Sequence, residues 1–262
     1  MSRRTGPTVS IGGAPNGFFG DDRAVSNVVG YVLVFSLVTV TIGVVFAVGI
    51  TGVEERQNAE RVANVERAFD VFDDNLRDVQ RYDDPSRSTE MRLSGGTLST
   101  AETAHVRLRN ESGAVLLERR FHSLTYEADD TRIAYEMGAW FRTDGDATVM
   151  RSEPRFVADA DRTTLPLVLL YPSGDRTVAG EGTLQIRAGG LRSNTGPDYG
   201  AAGHETLELE IESPHSAAWE RYFERTDGFG NVSATDGAVT ATLEHDDTVY
   251  VHRIALDVTM RR

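Results

Sequence analysis

Hydrophobic and polar residues follow three different patterns along the chain, and the first is a long apolar run. The stretch from Ala24 to Val53 contains no charged residue and is dominated by Val and Gly. About 20 consecutive apolar residues are enough to cross a bilayer as a helix. The run is too long for one buried strand. The pattern predicts a transmembrane helix over residues 25–53, preceded by a polar leader, residues 1–24, that we expect to be disordered and cleaved.

The second pattern, an amphipathic one, begins directly after this run. Between Glu54 and Arg81 apolar residues recur at intervals of three and four among charged residues, and no Pro or Gly interrupts them. That spacing places the apolar side chains on one face of a helix. The sequence Asp83-Asp84-Pro85-Ser86 is typical of a helix end. The pattern predicts a helical extension over residues 54–84, continuous with the apolar helix.

The third pattern, over residues 85–262, consists of short alternating runs separated by Gly, Asp and Asn. The clearest run is Leu207–Glu212, in which three apolar residues alternate with three carboxylates. Alternation of this kind is typical of antiparallel strands with one buried face. We therefore predict an α+β protein: a long N-terminal transmembrane and coil helix, then an antiparallel, sandwich-like β-rich extracellular domain containing one short helix.

The short helix is predicted from Pro214 to about Glu224. Ser213 is suited to the N-cap position and Pro214 to the first helical position. The aromatic side chains of this segment fall on one face of the helix, which we expect to pack against the sheet. They are Trp219, Tyr222 and Phe223.

The amino-acid composition argues against several classes of function. The formal net charge is -13, and because the chain has no Lys, all 27 basic residues are Arg. An acidic chain without Lys is typical of a halophile, in which concentrated salt shortens the Debye length to about 3 Å and screens the surface carboxylates. Such a surface argues against nucleic-acid binding, which requires a basic face. The chain also has no Cys, which excludes disulfides, thiolate nucleophiles and Cys-ligated zinc.

The sequence contains no recognisable motif for catalysis or metal binding. The six His residues show no His-x-x-x-His or His-Glu-x-x-His spacing, and no Gly-x-Ser-x-Gly, P-loop or dinucleotide fingerprint occurs. His245-Asp246-Asp247 and Asp144-Gly145-Asp146 contain possible metal ligands, but the first is interpreted as a turn and the second as a hairpin turn without the remaining calcium ligands. The sequence thus predicts no enzyme, catalytic residue, metal, cofactor or small-molecule substrate.

Further features of the sequence bear on the location of the protein in the cell. Arg23 lies next to the apolar run and favours an N-terminus inside the cell and a C-terminal domain outside it. A twin-arginine signal at Arg3-Arg4 is disfavoured by its distance from the run, and a cleaved signal peptide by the length of the run. The sequons at Asn110 and Asn231 are candidate N-glycosylation sites in predicted turns.

The start of the apolar run resembles haloarchaeal type IV pilin-like precursors. The resemblance is carried by Asp22-Arg23-Ala24, then Val25-Ser26-Asn27-Val28-Val29-Gly30, then the apolar helix. It implies that a prepilin peptidase recognises Arg23 and Ala24 and cuts after Ala24, so that Val25 becomes the N-terminus. Ile133-Ala134-Tyr135 and Ser213–Trp219 also resemble uncharacterised haloarchaeal pilin-like membrane proteins.

Two departures from the family pattern qualify this expectation. Major haloarchaeal pilins have Pro at the position of Asn27, and bacterial pilins have Glu at the position of Val29. The resemblance therefore implies a minor pilin or pseudopilin whose partners are membrane lipid, the prepilin peptidase and other pilin subunits. The alternatives are a permanently anchored ectodomain for adhesion or sensing, and an anchored hydrolase.

Overall fold

A computed structural model describes residues 22–82, 86–159, 162–191, 196–202, 206–243 and 248–262. The chain divides into two compact units, Met1–Gln57 and Asn58–Arg262. Residues 1–21 of the leader, which was predicted over residues 1–24, lie outside the described residues. The predicted turn at 245–247 and His204 lie outside them as well.

Two helices are present in the described residues. Helix α1 is Asp22–Tyr82 and supplies residues to both units. Its range confirms that the apolar and amphipathic stretches form one helix, which begins three residues before the predicted Val25. Helix α2 is Ser216–Arg225.

The predicted start of α2 was wrong. His215 occupies the N-cap position without a side-chain capping bond, and Pro214 lies before the helix. Ser213 Oγ instead accepts a hydrogen bond from the His215 backbone N–H at 2.9 Å and donates one to Glu136. The serine therefore closes a local turn and contacts strand β3, described below, rather than capping the helix.

Strands make up most of the second unit and confirm the predicted α+β class. They are β1 (Ser86–Asn110), β2 (Val115–Ala128), β3 (Thr131–Glu136), β4 (Ala139–Asp144), β5 (Ala147–Ser152), β6 (Val157–Asp159), β7 (Arg162–Pro172), β8 (Thr177–Gly190), β9 (Gly196–Ala202), β10 (Leu207–Glu212), β11 (Phe229–Thr235), β12 (Ala238–Leu243) and β13 (Thr248–Arg261).

The strands belong to one 13-stranded sheet in the order β11-β12-β10-β1-β8-β13-β7-β2-β3-β4-β5, with β6 beside β7 and β9 beside β13. Strand β1 also pairs with β2, which closes β1, β8, β13, β7 and β2 into a ring. The pairings are antiparallel except that β7 and β13 are parallel, so the prediction of a purely antiparallel sheet was wrong at this position. Parallel neighbours need long connections, and the segment between β7 and β13 is long enough to supply one.

The two helices cover different hydrophobic clusters. The apolar stripe of α1 is buried with side chains of β1, β3, β8 and β13. Trp219, Tyr222 and Phe223 of α2 are buried in the other cluster, which confirms that they pack against the sheet. Strand β7 lies between the clusters, because its consecutive residues Leu167 and Val168 belong to different ones.

Candidate functional site

The apolar part of α1 is the first candidate site. Among the described residues, Val28–Ala47 is the one helical segment long and apolar enough to cross a membrane, with a mean hydropathy of 2.5 and no buried side chain. The hydroxyls of Thr39 and Thr41 donate to the backbone carbonyls of Phe35 and Leu37, both at 2.8 Å. These bonds satisfy the two hydroxyls inside the helix, as an apolar environment requires.

The residues predicted for leader cleavage lie at the start of α1. Arg23, Ala24 and Val25 have helical backbone, and the structure describes nothing of their side chains. Helix α1 therefore extends over the predicted cleavage position, between Ala24 and Val25.

A cleft of about 670 Å³ in the second unit is another candidate site. Such a volume lies within the range of small-molecule sites in proteins, roughly 300–1,000 Å³. Its walls come from four elements: residues 58–63 of α1, Ser94–Gly96 of β1, the β2–β3 turn with its flanking residues, and Arg142 of β4.

One wall of the cleft is tightly packed around Gly96. This residue has φ of +78°, and a Cβ there would lie 2.7 Å from both Tyr126 Oη and the Glu127 carbonyl oxygen. Tyr126 Oη donates to the Gly95 carbonyl at 3.1 Å, and burial raises the pKa of this phenol. Only Gly avoids both the steric clash and the backbone penalty at this position.

Two of the charged side chains that line the cleft, Arg142 and Glu127, form salt bridges. Arg142 donates hydrogen bonds to Glu66 at 2.9 Å and to Asp144 at 2.7 Å. The hydrogen bond from Arg142 is the main reason why the pKa of Asp144 is lowered. Arg132 pairs with Glu127 at 2.6 Å. Asp144 accordingly binds Arg142 within the β4–β5 hairpin, as the turn interpretation predicted.

Three charged residues that line the cleft have no salt bridge among the described ion pairs: Arg61, Asp129 and Asp130. The cleft thus offers charges of both signs to a polar ligand. Among the residues that the structure describes, no three or more His, Cys, Asp or Glu side chains are placed to hold a metal ion.

A buried polar cluster joins strand β3 to α2 and the residues that precede it. Glu136 directly follows Ile133-Ala134-Tyr135 in β3. Its Oε1 accepts hydrogen bonds from Ser213 Oγ at 2.5 Å and Trp219 Nε1 at 2.7 Å. Its Oε2 lies 3.3 Å from His215 Nδ1, and the imidazole stacks on Phe141.

This cluster contains Ser, His and Glu, but its geometry does not fit a nucleophilic triad. The serine hydroxyl is bonded to the carboxylate, whereas a triad requires it to bond the imidazole. Glu136 is fully buried, and Ser213 and His215 are 2% and 5% exposed. The cluster fastens α2 to β3, and sequence reasoning missed it because a Glu at a strand end is usually exposed.

The two sequons are placed differently. Asn110 Oδ1 accepts hydrogen bonds from Ala114 N–H at 2.9 Å and Ser112 Oγ at 2.7 Å, within the β1–β2 turn. Asn231 is exposed on β11, at one end of the sheet, with φ of +46°. Asn110 is the last residue of β1, and its side chain accepts the bonds that close the predicted turn, whereas Asn231 lies within β11 and its turn prediction was wrong.

The comparisons with known proteins complete this description. No curated protein and no solved structure matches the chain. Residues 23–259 match a family of unknown function, DUF7289, and the chain belongs to this family.

Proposed function

We propose that this protein is a pilin-like cell-surface subunit, a minor pilin or pseudopilin. Its apolar helix anchors it in the cell membrane, and a prepilin peptidase removes the leader after Ala24. The observation that carries the proposal is the exposed apolar segment Val28–Ala47. It is joined in the same helix α1 to a stripe of side chains buried against the sheet.

The exposed segment needs a partner that buries it. Burying one Val, Leu, Ile or Phe side chain is worth roughly 1.5–3 kcal/mol, and such side chains are exposed from Val28 to Phe46. Lipid is one partner, and the apolar helices of other subunits are another. A helix with no charged side chain in this segment is compatible with both, first as an anchor and then in a filament core.

The orientation in this proposal places the second unit outside the cell. Arg23 precedes the span on the side that would face the cytoplasm, in agreement with the excess of positive charge usual there. The acidic surface would then face a salty exterior, where the repulsion between carboxylates is screened.

Mass spectrometry of the N-terminus tests the proposal. The mature chain in a membrane extract is expected to begin at Val25. Ala24→Phe should prevent cleavage, because the peptidase is expected to need a small residue there, whereas the matched control Ala24→Gly should still be cut. A mature wild-type chain that retains Met1 or Ser2 would contradict the proposal, and recovery of the Val25 chain in sheared filaments would establish incorporation.

A second candidate function is supported by the cleft. A permanently anchored ectodomain for adhesion or sensing would use Arg61, Asp129 and Asp130 to contact a polar ligand. This function requires neither cleavage nor filament association. It would be favoured by an intact N-terminus in the membrane fraction together with no chain in the filament fraction.

A further inference from the structure

The second unit contains a small cavity between α1 and the strands that α1 covers, separate from the cleft. Its volume is about 10 Å³. Roughly 10–15 Å³ is the space that one water molecule requires, so the cavity matches a single water and nothing larger. The side chains that line it include Asp73, Arg77, Gln80, Tyr135, Arg155 and Val168.

Two polar atoms of these lining residues have no hydrogen-bond partner among the described protein atoms, Asp73 Oδ1 and Tyr135 Oη. Both residues are buried, Asp73 at 3% exposure and Tyr135 at 0%. The other carboxylate oxygen, Asp73 Oδ2, accepts a hydrogen bond from Ser152 Oγ at 2.7 Å and pairs with Arg77 at 2.8 Å. Buried polar atoms in folded proteins are paired with protein or water in the great majority of cases.

The charges of the side chains that line the cavity determine which ion or small molecule it can hold. A cation would be repelled by Arg77 and Arg155, whose positive charges act on Asp73. An anion would be repelled by the Asp73 carboxylate. A water molecule meets both requirements, because it can donate to a carboxylate oxygen and accept from a phenol hydroxyl.

We propose that this cavity binds one water molecule, which donates a hydrogen bond to Asp73 Oδ1 and accepts one from Tyr135 Oη. The water connects α1 to β3, beside the direct hydrogen bond from Ser152 of β5 to Asp73. It is a structural ligand that extends the polar contacts between α1 and the sheet. The proposal is independent of whether the chain is a pilin-like subunit.

Thermal unfolding of the full chain in detergent gives the first test. If the water is bound, Tyr135→Phe removes one hydrogen bond and lowers Tm by about 2–4 °C. If the cavity is dry, the same substitution removes an unsatisfied buried hydroxyl and leaves Tm unchanged or higher, which would overturn the proposal. The matched control is Tyr126→Phe, which loses a direct bond to the Gly95 carbonyl and should lower Tm by a similar amount.

A high-resolution crystal structure of the full chain gives the second test. It should show a density peak within hydrogen-bonding distance of both Asp73 Oδ1 and Tyr135 Oη, and the Tyr135→Phe variant should lose or displace that peak. A direct hydrogen bond between these two atoms would overturn the proposal, as would a metal ion identified by anomalous scattering.

Discussion

At the residue scale, Asp73 makes the stability of the protein depend on pH. Burial raises the pKa of its carboxyl, although the hydrogen bond from Ser152 and the charge of Arg77 act in the opposite direction. The folded state therefore binds this proton more tightly than the unfolded state does. The stability that this group contributes is complete below the ordinary pKa of an Asp and is lost as pH rises through the raised one.

Replacing Asp73 by Asn should remove this part of the pH dependence. The amide keeps an oxygen for Ser152 and carries no buried charge, so the free energy of unfolding at pH 7 should be at least that of the wild type. Denaturant unfolding between pH 4 and 8 measures both effects. The matched control is Asp70→Asn, at an exposed side chain of the same helix, which should retain the wild-type pH profile. A lower free energy of unfolding for Asp73→Asn than for the wild type at pH 7 would contradict this prediction.

Contacts between individual side chains are the feature that the sequence predicts least well. Alternation along β3 places Glu136 on the same side as Ala134, but a terminal Glu is ordinarily solvated. Its partners Ser213 and Trp219 follow 77 and 83 residues later in the chain. The role of Ser213 was mispredicted for the same reason. The sequence around it matched an N-cap, whereas its partner Glu136 lies 77 residues away in the chain. Only tertiary packing shows that these residues meet.

At the element scale, helix α1 could be predicted because its signals are local. The apolar run and the three-to-four spacing each lie within one stretch of chain, and periodicity depends on no distant partner. The stripe side chains Val65, Phe69, Phe72, Leu76 and Val79 are buried as the spacing predicts. The span and the stripe therefore give α1 two different apolar surfaces.

The two faces of α1 can be compared at adjacent positions. Phe72 is 1% exposed and packs edge-on against Tyr135, with ring centroids 5.4 Å apart, whereas Val71 is 52% exposed. Phe72→Ala should lower the free energy of unfolding by about 3–5 kcal/mol, because it removes a buried ring and leaves a cavity. Val71→Ala should change it by about 0.5 kcal/mol or less. Urea unfolding of both variants checks this, and equal losses would contradict the observed orientation of the helix.

Strand pairing was harder to predict than the helix. Leu207–Glu212 became β10 with its apolar residues buried, as alternation predicted. Two of its three carboxylates form salt bridges, however, since Glu210 and Glu212 pair with Arg107 of β1 at 3.2 and 2.6 Å. Alternation reports which face is buried but not which strand lies alongside, and for the same reason the parallel pairing of β7 with β13 could not be foreseen.

At the scale of the whole molecule, composition predicts which classes of partner are excluded, and the fold shows where the candidate sites lie. The charge of -13 argues against a nucleic-acid partner. The cleft could not be predicted, because its walls come from α1, β1, the β2–β3 turn and β4, and α1 and β1 lie far from the others in the sequence. The proposed topology, with the second unit outside the cell, depends on the charges that flank the span.

The lack of Cys in the chain permits a direct test of that topology, because one introduced Cys is a unique label site. Asp175 is exposed between β7 and β8. Asp175→Cys should react with a membrane-impermeant maleimide in intact cells, because the second unit is proposed to lie outside. The companion variant Ser10→Cys lies before the span and should react only after lysis, and only in chains that keep the leader. Labelling of Asp175→Cys that requires lysis would place the β-rich unit inside the cell. It would exclude a surface subunit even if the chain is anchored as proposed.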